Sequence, residues 1–136
     1  MNRSPKLLMT AFVFLLFVSV FVATTVAQHM NEKDSPCSGP ASTVALVDCL
    51  AKAEESSDSD LNSLYQTVLK KLDSEDAKRL TETERLWIKY RDANCSAERA
   101  LYEKGTGGYP AYLGCLEAMT RARTKELQVT YAVRIK

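Results

Sequence analysis

Apolar residues in the middle of the chain recur with the period of a helix. From residue 61 to residue 72 they fall at i, i+3, i+4, i+7, i+8 and i+11, forming one stripe of Leu61, Leu64, Tyr65, Val68, Leu69 and Leu72. Similar spacing precedes this stripe at Val44, Val47, Leu50 and Ala53. The pattern predicts one long helix over 42–73. The alternative is a break in the acidic run 54–60, where Ser59 or Asp60 would cap a new helix.

Two further helices are expected after this one. Residues 41–104 contain no Gly and no Pro, which argues against a meander of strands and turns. A second helix is expected from about Ser74 to just before Gly105, with an inward face of Leu80, Trp87, Ile88, Cys95 and Tyr102. Three glycines and Pro110 then turn the chain. A third helix is expected over 111–133, with an inward face of Tyr112, Leu116, Met119, Leu127 and Tyr131.

The fold class expected from these segments is all-α. Short connections between consecutive helices predict a small antiparallel three-helix bundle. Four helices are expected instead if the first breaks near 54–60.

The first 27 residues differ in composition from the rest of the chain. Basic Arg3 and Lys6 precede an uncharged apolar run over 7–22, and small residues end at Ala27. This is the pattern of a signal peptide cleaved after Ala27, which predicts a periplasmic or secreted protein. The alternative is an uncleaved anchor, because the 21 uncharged residues of 7–27 are long enough to span a bilayer. Both readings place residues 28–136 outside the cytoplasm.

Without the leader, 109 residues remain, with 16 basic and 17 acidic side chains. That length suits one domain, divided here into an extended N-terminal segment over 28–40 and a helical domain over 41–136. The nearly balanced charge argues against a nucleic-acid partner, since such binding depends on an excess of basic residues. No membrane association is expected after cleavage.

Four cysteines, an even number, lie in the exported part of the chain: Cys37, Cys49, Cys95 and Cys115. In a small exported domain they predict disulfides, which four cysteines can form in three pairings. We favour Cys37 with Cys49 and Cys95 with Cys115, because each pair closes a short local loop that the helices can accommodate. No metal or other cofactor is expected, since the sequence has no C-x-x-C motif and its single histidine is His29.

Several elements occur together in a characteristic order. After Cys49 come the L-N-x-x-Y element at 61–65, the W-I-x-Y-R-D-A-x-C element at 87–95, Gly107-Gly108, Cys115, Thr120, Arg123 and Leu127. In this the chain resembles the LprI family of exported proteins, named for its lysozyme-inhibitor member, over residues 37–127. Two features depart from the family pattern. Glu84 replaces the usual glutamine, and the lipid-attachment cysteine of some members is absent.

The resemblance implies binding and inhibition of lysozyme in the cell envelope. Its motif residues are expected to be mainly structural: Asn62, Tyr65, Trp87, Tyr90, Arg91, Asp92 and Arg123. Tyr65 and Trp87 would pack on core-facing stripes, and Asn62 would hydrogen-bond between helices. Arg91 with Asp92 would tie the second helix to its neighbours.

The sequence gives little support for an enzyme. Disulfide-bonded cysteines supply no thiolate, and a terminal His29 is not expected to be held by a rigid element. The glycine-rich segment lacks the lysine and hydroxyl residue of a phosphate loop, and the acidic run fits no calcium-loop spacing. We therefore expect no catalytic residues.

Two surfaces are candidates for binding lysozyme or another peptidoglycan hydrolase. The first is an acidic patch of Glu54, Glu55, Asp58 and Asp60, which would steer a cationic partner. The second is a loop over 104–112 that would enter the enzyme's cleft, with Lys104, Gly107, Gly108, Tyr109 and Tyr112 as its contact residues. The alternative function is a non-catalytic envelope scaffold of unknown partner. A homodimer through an unburied apolar stripe is a further candidate.

Overall fold

A computed structural model describes residues 29–39, 42–102 and 105–135. It contains a short 3-10 helix, His29–Asn31, and three long helices: α1 Thr43–Leu69, α2 Ser74–Ala100 and α3 Gly108–Thr130. No strand occurs in these ranges, so the predicted all-α three-helix bundle is confirmed. None of the helices in the described ranges is long and apolar enough to cross a membrane. The predicted signal peptide, 1–27, lies outside them.

The ends of α1 and α2 are defined by side-chain caps. Ser42 accepts a hydrogen bond from the Ala45 backbone N–H at 3.2 Å, which begins α1. The helix then runs unbroken through 54–60, so the predicted single helix is confirmed and the alternative break does not occur. It ends at Leu69, earlier than predicted. Asp73 begins α2 by accepting backbone N–H groups of the first turn at 2.9 and 3.0 Å.

Helix α3 is the centre of the bundle. Both α1 and α2 make their main backbone contacts with α3 rather than with each other. Its first half is consequently buried on nearly every side, including Ala111, Leu113, Cys115, Leu116, Ala118 and Thr120. Towards the other end of the bundle, Leu127 packs with Val68 of α1 and Leu80 of α2. The last helix of the chain therefore supplies the shared core.

Both predicted disulfides are present. Cys37 and Cys49 are joined with their Cα atoms 5.8 Å apart, and Cys95 and Cys115 with theirs 5.4 Å apart. The first bond ties the N-terminal segment to α1, and the second ties α2 to α3. No described cysteine is free.

Residues 29–39, which we call the strap, are folded onto the bundle rather than extended as predicted. The strap crosses α3 at Gly114, where a Cβ atom would lie 2.7 Å from the Cα atom of Met30. Its far side is held by Asp34, whose carboxylate accepts a hydrogen bond from Arg121 at 2.7 Å. Arg121 lowers the pKa of Asp34, chiefly through this hydrogen bond. The absence of a side chain at Gly114 thus lets the strap pack directly on α3.

Two residues predicted to point inward are exposed. Val44 is 72% exposed because it lies in the first turn of α1, beyond the level at which α3 begins. Ile88 is 43% exposed because the facing side chains of α1 leave a pocket beside it unfilled. The other predicted inward residues of α2 and α3 are buried or partly buried.

Candidate functional site

A solvent-open pocket lies between α1 and α2, near the middle of the bundle. Its volume is about 150 Å³, and its lining residues are Asp58, Leu61, Asn62, Tyr65, Thr81, Glu84, Arg85, Trp87, Ile88 and Arg91. It forms where the two helices, each packed mainly on α3, face one another with a mixture of polar, aliphatic and aromatic side chains. We call it the α1–α2 pocket.

Arg91 connects all three helices at one edge of this pocket. Its Nη1 atom donates to the Thr120 hydroxyl of α3 at 3.2 Å and lies 3.6 Å from the Asp58 carboxylate of α1. Its Nε and Nη2 atoms lie 3.0 Å from Asp92 on its own helix. The prediction that Arg91 ties α2 to its neighbours is therefore supported by these contacts, whereas Asp92 acts through Arg91. The Arg91 side chain is only 12% exposed, and these contacts hold it in place.

Trp87 lies between two cations. The guanidinium carbon of Arg91 is 5.3 Å from its ring centroid, and that of Arg123 is 5.9 Å from it. Both distances allow cation–π attraction, which is stronger where the cation is removed from water. The tryptophan ring is thus held as a rigid wall of the pocket.

A buried ion pair lies beneath the pocket. Arg123 and Glu84 are each 7% exposed. Arg123 donates to Glu84 through Nε at 2.8 Å and through Nη2, and to Glu126 at 2.8 Å. Burial by itself lowers the pKa of Arg123, but these hydrogen bonds outweigh it and raise the pKa above its usual value. Glu84, the departure from the family pattern, is therefore the main buried counterion of Arg123.

The remaining motif residues divide between core and surface. The Tyr65 hydroxyl lies 3.0 Å from the Thr81 hydroxyl, which joins α1 to α2 across the pocket. Asn62 donates to Asp58 at 2.9 Å within α1, so the expectation that it bonds between helices is wrong. Asn62 and Asp58 are one helical turn apart, which makes this local bond the nearest available. Tyr90 is 62% exposed on the outer side of α2.

The four residues of the predicted acidic patch do not share one face of α1. Glu54 and Asp58 are one turn apart beside the α1–α2 pocket. Asp60 lies about 200° further around the helix than Asp58, and Glu55 about 100° from Glu54. Burial, and then the charge of Asp58, raises the pKa of Glu54. A pair of carboxylates, rather than a patch of four, borders the pocket.

Most of the predicted cleft-binding loop is helical. Gly108 to Tyr112 form the start of α3, which begins earlier than expected because Pro110 fits its first turn. Gly107 lies against the Tyr102 ring, where a Cβ atom would come within 2.5 Å of it. Tyr109 is 49% exposed. Lys104 lies outside the described residues.

Tyr109 and Tyr112 share a cation. The Arg99 guanidinium carbon lies 5.9 Å from the centroid of each ring. Tyr112 also packs against the Cys95–Cys115 disulfide. Of the two aromatic residues, only Tyr109 is therefore well placed to contact a partner.

The histidine is more firmly held than the sequence suggested. His29 Nδ1 lies 2.5 Å from Glu98 on α2, and its backbone N–H donates to the same carboxylate at 3.3 Å. Ligand atoms of His29, Glu98 and Cys115 lie within 4.8 Å of one another. Cys115 is bonded to Cys95, so this cluster contains no thiolate that could bind a metal ion.

Comparison with known proteins adds to this description. The family model described as "Lysozyme inhibitor LprI" matches residues 36–127. This chain belongs to the LprI family. An uncharacterized protein of Rhizobium meliloti (strain 1021) is 27% identical over 126 residues, covering 82% of this LprI chain and 89% of the relative. No solved structure gives a significant match.

The fold brings four motif residues of this LprI chain to one site. The α1–α2 pocket is lined by Asn62, Tyr65, Trp87 and Arg91. From the sequence, these four residues were expected to have mainly structural roles. The missing signal was the helix-to-helix register, which spacing along one helix does not give. The acidic run 54–60 is visible in the sequence as a candidate binding patch, but spacing along α1 does not show which of its residues lines the pocket.

Proposed function

We propose that this LprI protein is an exported, non-catalytic protein that binds lysozyme and inhibits it by covering its cleft. Membership of a family described as a lysozyme inhibitor supports the proposal. The structural observation that carries it is the α1–α2 pocket, bordered by the Glu54 and Asp58 carboxylates on a disulfide-stapled bundle. A rigid acidic surface suits a cationic enzyme, because complementary charge speeds encounter and less ordering is needed on binding.

Two surfaces would contact the enzyme together. Lysozymes of animal and phage type are generally cationic and keep two catalytic carboxylates in a cleft. Tyr109 lies eight residues before Glu117, which accepts a hydrogen bond from Ser57 beside Asp58. Eight residues correspond to about 12 Å along α3. A standard interface covers about 800 Å² per partner, which is enough to span this axial distance.

In this arrangement the bundle end with Tyr109 enters the cleft and the pocket contacts its rim. The neighbouring Arg99 would bring a positive charge towards the catalytic carboxylates, as would Lys104 of the predicted loop. Substrate would be excluded by volume, with no chemistry by the inhibitor.

The test is inhibition of peptidoglycan lysis by oxidised residues 28–136, with chicken-type, goose-type and invertebrate-type lysozymes. We expect inhibition that saturates at stoichiometric ratios and weakens as salt rises, because steering by exposed charge is screened over about 10 Å at 0.1 M salt. Tyr109→Ala should weaken it, and the exposed Tyr90→Ala should serve as a matched control. A folded, helical sample that inhibits none of the three enzymes would refute the proposal.

A second candidate is an interaction domain that associates through the outer side of α2. Leu86, Tyr90 and Leu101 are 67%, 62% and 76% exposed there. They lie within about 60° of one another around the helix and form an apolar stripe. A homodimer through this stripe would be detected by light scattering coupled to size exclusion, and Leu86→Glu should abolish it.

A further inference from the structure

We propose that the α1–α2 pocket is a binding site for one basic side chain, an arginine on the surface of the partner enzyme. This inference rests on the proposed function and names the chemistry by which the pocket face would recognise lysozyme. The argument uses the size of the pocket, the balance of charge around it and the nature of its walls.

The size of the pocket fits a single side chain. A volume of about 150 Å³ corresponds to about five water molecules at ~30 Å³ each. The delta carbon and guanidinium group of an arginine comprise five non-hydrogen atoms, which is a comparable volume.

The charges around the pocket favour a cation. Each basic residue that lines it already has a carboxylate partner, Arg91 with Asp92 at 3.0 Å and Arg85 with Glu82 at 3.2 Å. The buried Glu84 is neutralised by Arg123. The pair of carboxylates at the opening is less fully compensated, because one of them shares Arg91 with Asp92 and the other has no ion pair among the described residues.

Asp58 and Glu54 are that pair. Asp58 accepts a hydrogen bond from the neutral Asn62 amide at 2.9 Å, and its nearest described cation is Arg91 at 3.6 Å. Its side chain is 46% exposed and can accept a further donor. Glu54 stands one turn away and adds a second negative charge. A guanidinium would supply the missing positive charge and several N–H donors.

The walls fit the apolar part of the same side chain. Leu61 and the half-exposed Ile88 present aliphatic surface, and the rigid Trp87 ring presents an aromatic one. Arginine buries its methylene groups on apolar surface while its charged end reaches polar partners. This occupant would also cover the exposed part of Ile88.

The test uses intrinsic fluorescence, because Trp87 is the single tryptophan of the sequence and lines the pocket. Argininamide is titrated into the oxidised protein at fixed ionic strength, with glutamine amide as the control whose side chain is uncharged and a chitin trisaccharide as the glycan probe. We expect a saturable change with argininamide alone, with a dissociation constant on the order of 1 mM. A saturable response to the trisaccharide and none to argininamide would overturn the proposal.

Variants confirm the position of the site. Asp58→Asn should weaken argininamide binding about tenfold or more, because a charged hydrogen-bond partner is lost. Ile88→Lys, at an exposed position, should abolish binding by placing a tethered cation in the pocket. Glu75→Gln, on the same helix and paired with Arg79 away from the pocket lining, should bind as the wild type does. Wild-type affinity in Asp58→Asn and Ile88→Lys would refute the site.

The same variants separate this inference from the proposed function. If lysozyme is inhibited equally well by Asp58→Asn and the wild type, the pocket does not contact the enzyme and this inference fails while inhibition stands. If argininamide binds at the pocket but no lysozyme is inhibited, the site stands and the proposed partner is wrong.

Discussion

Replacing Glu84 with alanine tests whether the buried ion pair organises the floor of the pocket. The change removes the acceptor of two Arg123 donors, Nε at 2.8 Å and Nη2. Arg123 is 7% exposed, so water does not replace the lost acceptor. Breaking a buried pair from one side costs about 3–5 kcal/mol. Glu126 still accepts a hydrogen bond from Arg123 at 2.8 Å. We therefore expect Glu84→Ala to lower the free energy of unfolding by about 3 kcal/mol, the low end of this range.

Glutamine at the same position separates charge from hydrogen bonding. Glu84→Gln keeps an oxygen acceptor for Arg123 and removes the charge, so a smaller loss of about 1–2 kcal/mol is expected. Replacing both partners together, Glu84→Leu with Arg123→Met, should cost less than the alanine variant, because no charge is left unpaired.

The assay is urea unfolding followed by far-UV circular dichroism, with the free energy of unfolding and its denaturant slope fitted together. Glu82→Ala is the matched control. Its partner Arg85 lies 3.2 Å away and both side chains are mostly exposed, so a loss below about 1 kcal/mol is expected. If Glu84→Ala lost no more than Glu82→Ala at an unchanged slope, the reasoning would be refuted.

Three further outcomes are expected. Gly114→Ala should displace Met30 and speed amide hydrogen exchange in the strap. Unchanged exchange rates would contradict the close packing of the strap on α3. Serine at both Cys37 and Cys49 should lower the free energy of unfolding in urea by about 3 kcal/mol, while the helix content measured by circular dichroism is retained. Glu54→Gln should raise the melting temperature at neutral pH. The folded-state pKa of Glu54 is raised from 4.5, so its contribution to stability is present at low pH and lost as pH rises through the folded pKa. If the melting temperatures of Glu54→Gln and the wild type changed with pH in parallel between acid and neutral pH, that role of Glu54 would be excluded.

The elements that sequence patterns predicted best are those set by local physics. The apolar stripe that begins at Leu61 predicts α1 as far as Leu69, and α2 begins at Ser74 as expected. Cysteine spacing then favoured the correct disulfides, since helical layout leaves few short loops to close.

What the sequence missed depends on contacts between distant segments. Glu84 meets Arg123 across 39 positions, and Arg91 meets Thr120 across 29. Neither pairing follows from the period of one helix, because it requires the register between helices. The α1–α2 pocket is a product of that register, and so the functional reading of Trp87 and Ile88 emerges only in three dimensions.

The central position of α3 also determines when the bundle can fold during synthesis of the chain. Helices α1 and α2 alone have little shared backbone contact, so residues 42–102 form a hairpin whose inner side chains lack the α3 residues that bury them. Until Leu113 and Leu127 of α3 are present, solvent still reaches the side chains of Leu50, Val68 and Leu80. Chains emerge N-terminus first, so collapse waits for almost the last residue, and pairing α1 with the distant α3 requires closing a long loop. A truncation within α3 should therefore yield an unfolded polypeptide rather than a smaller domain.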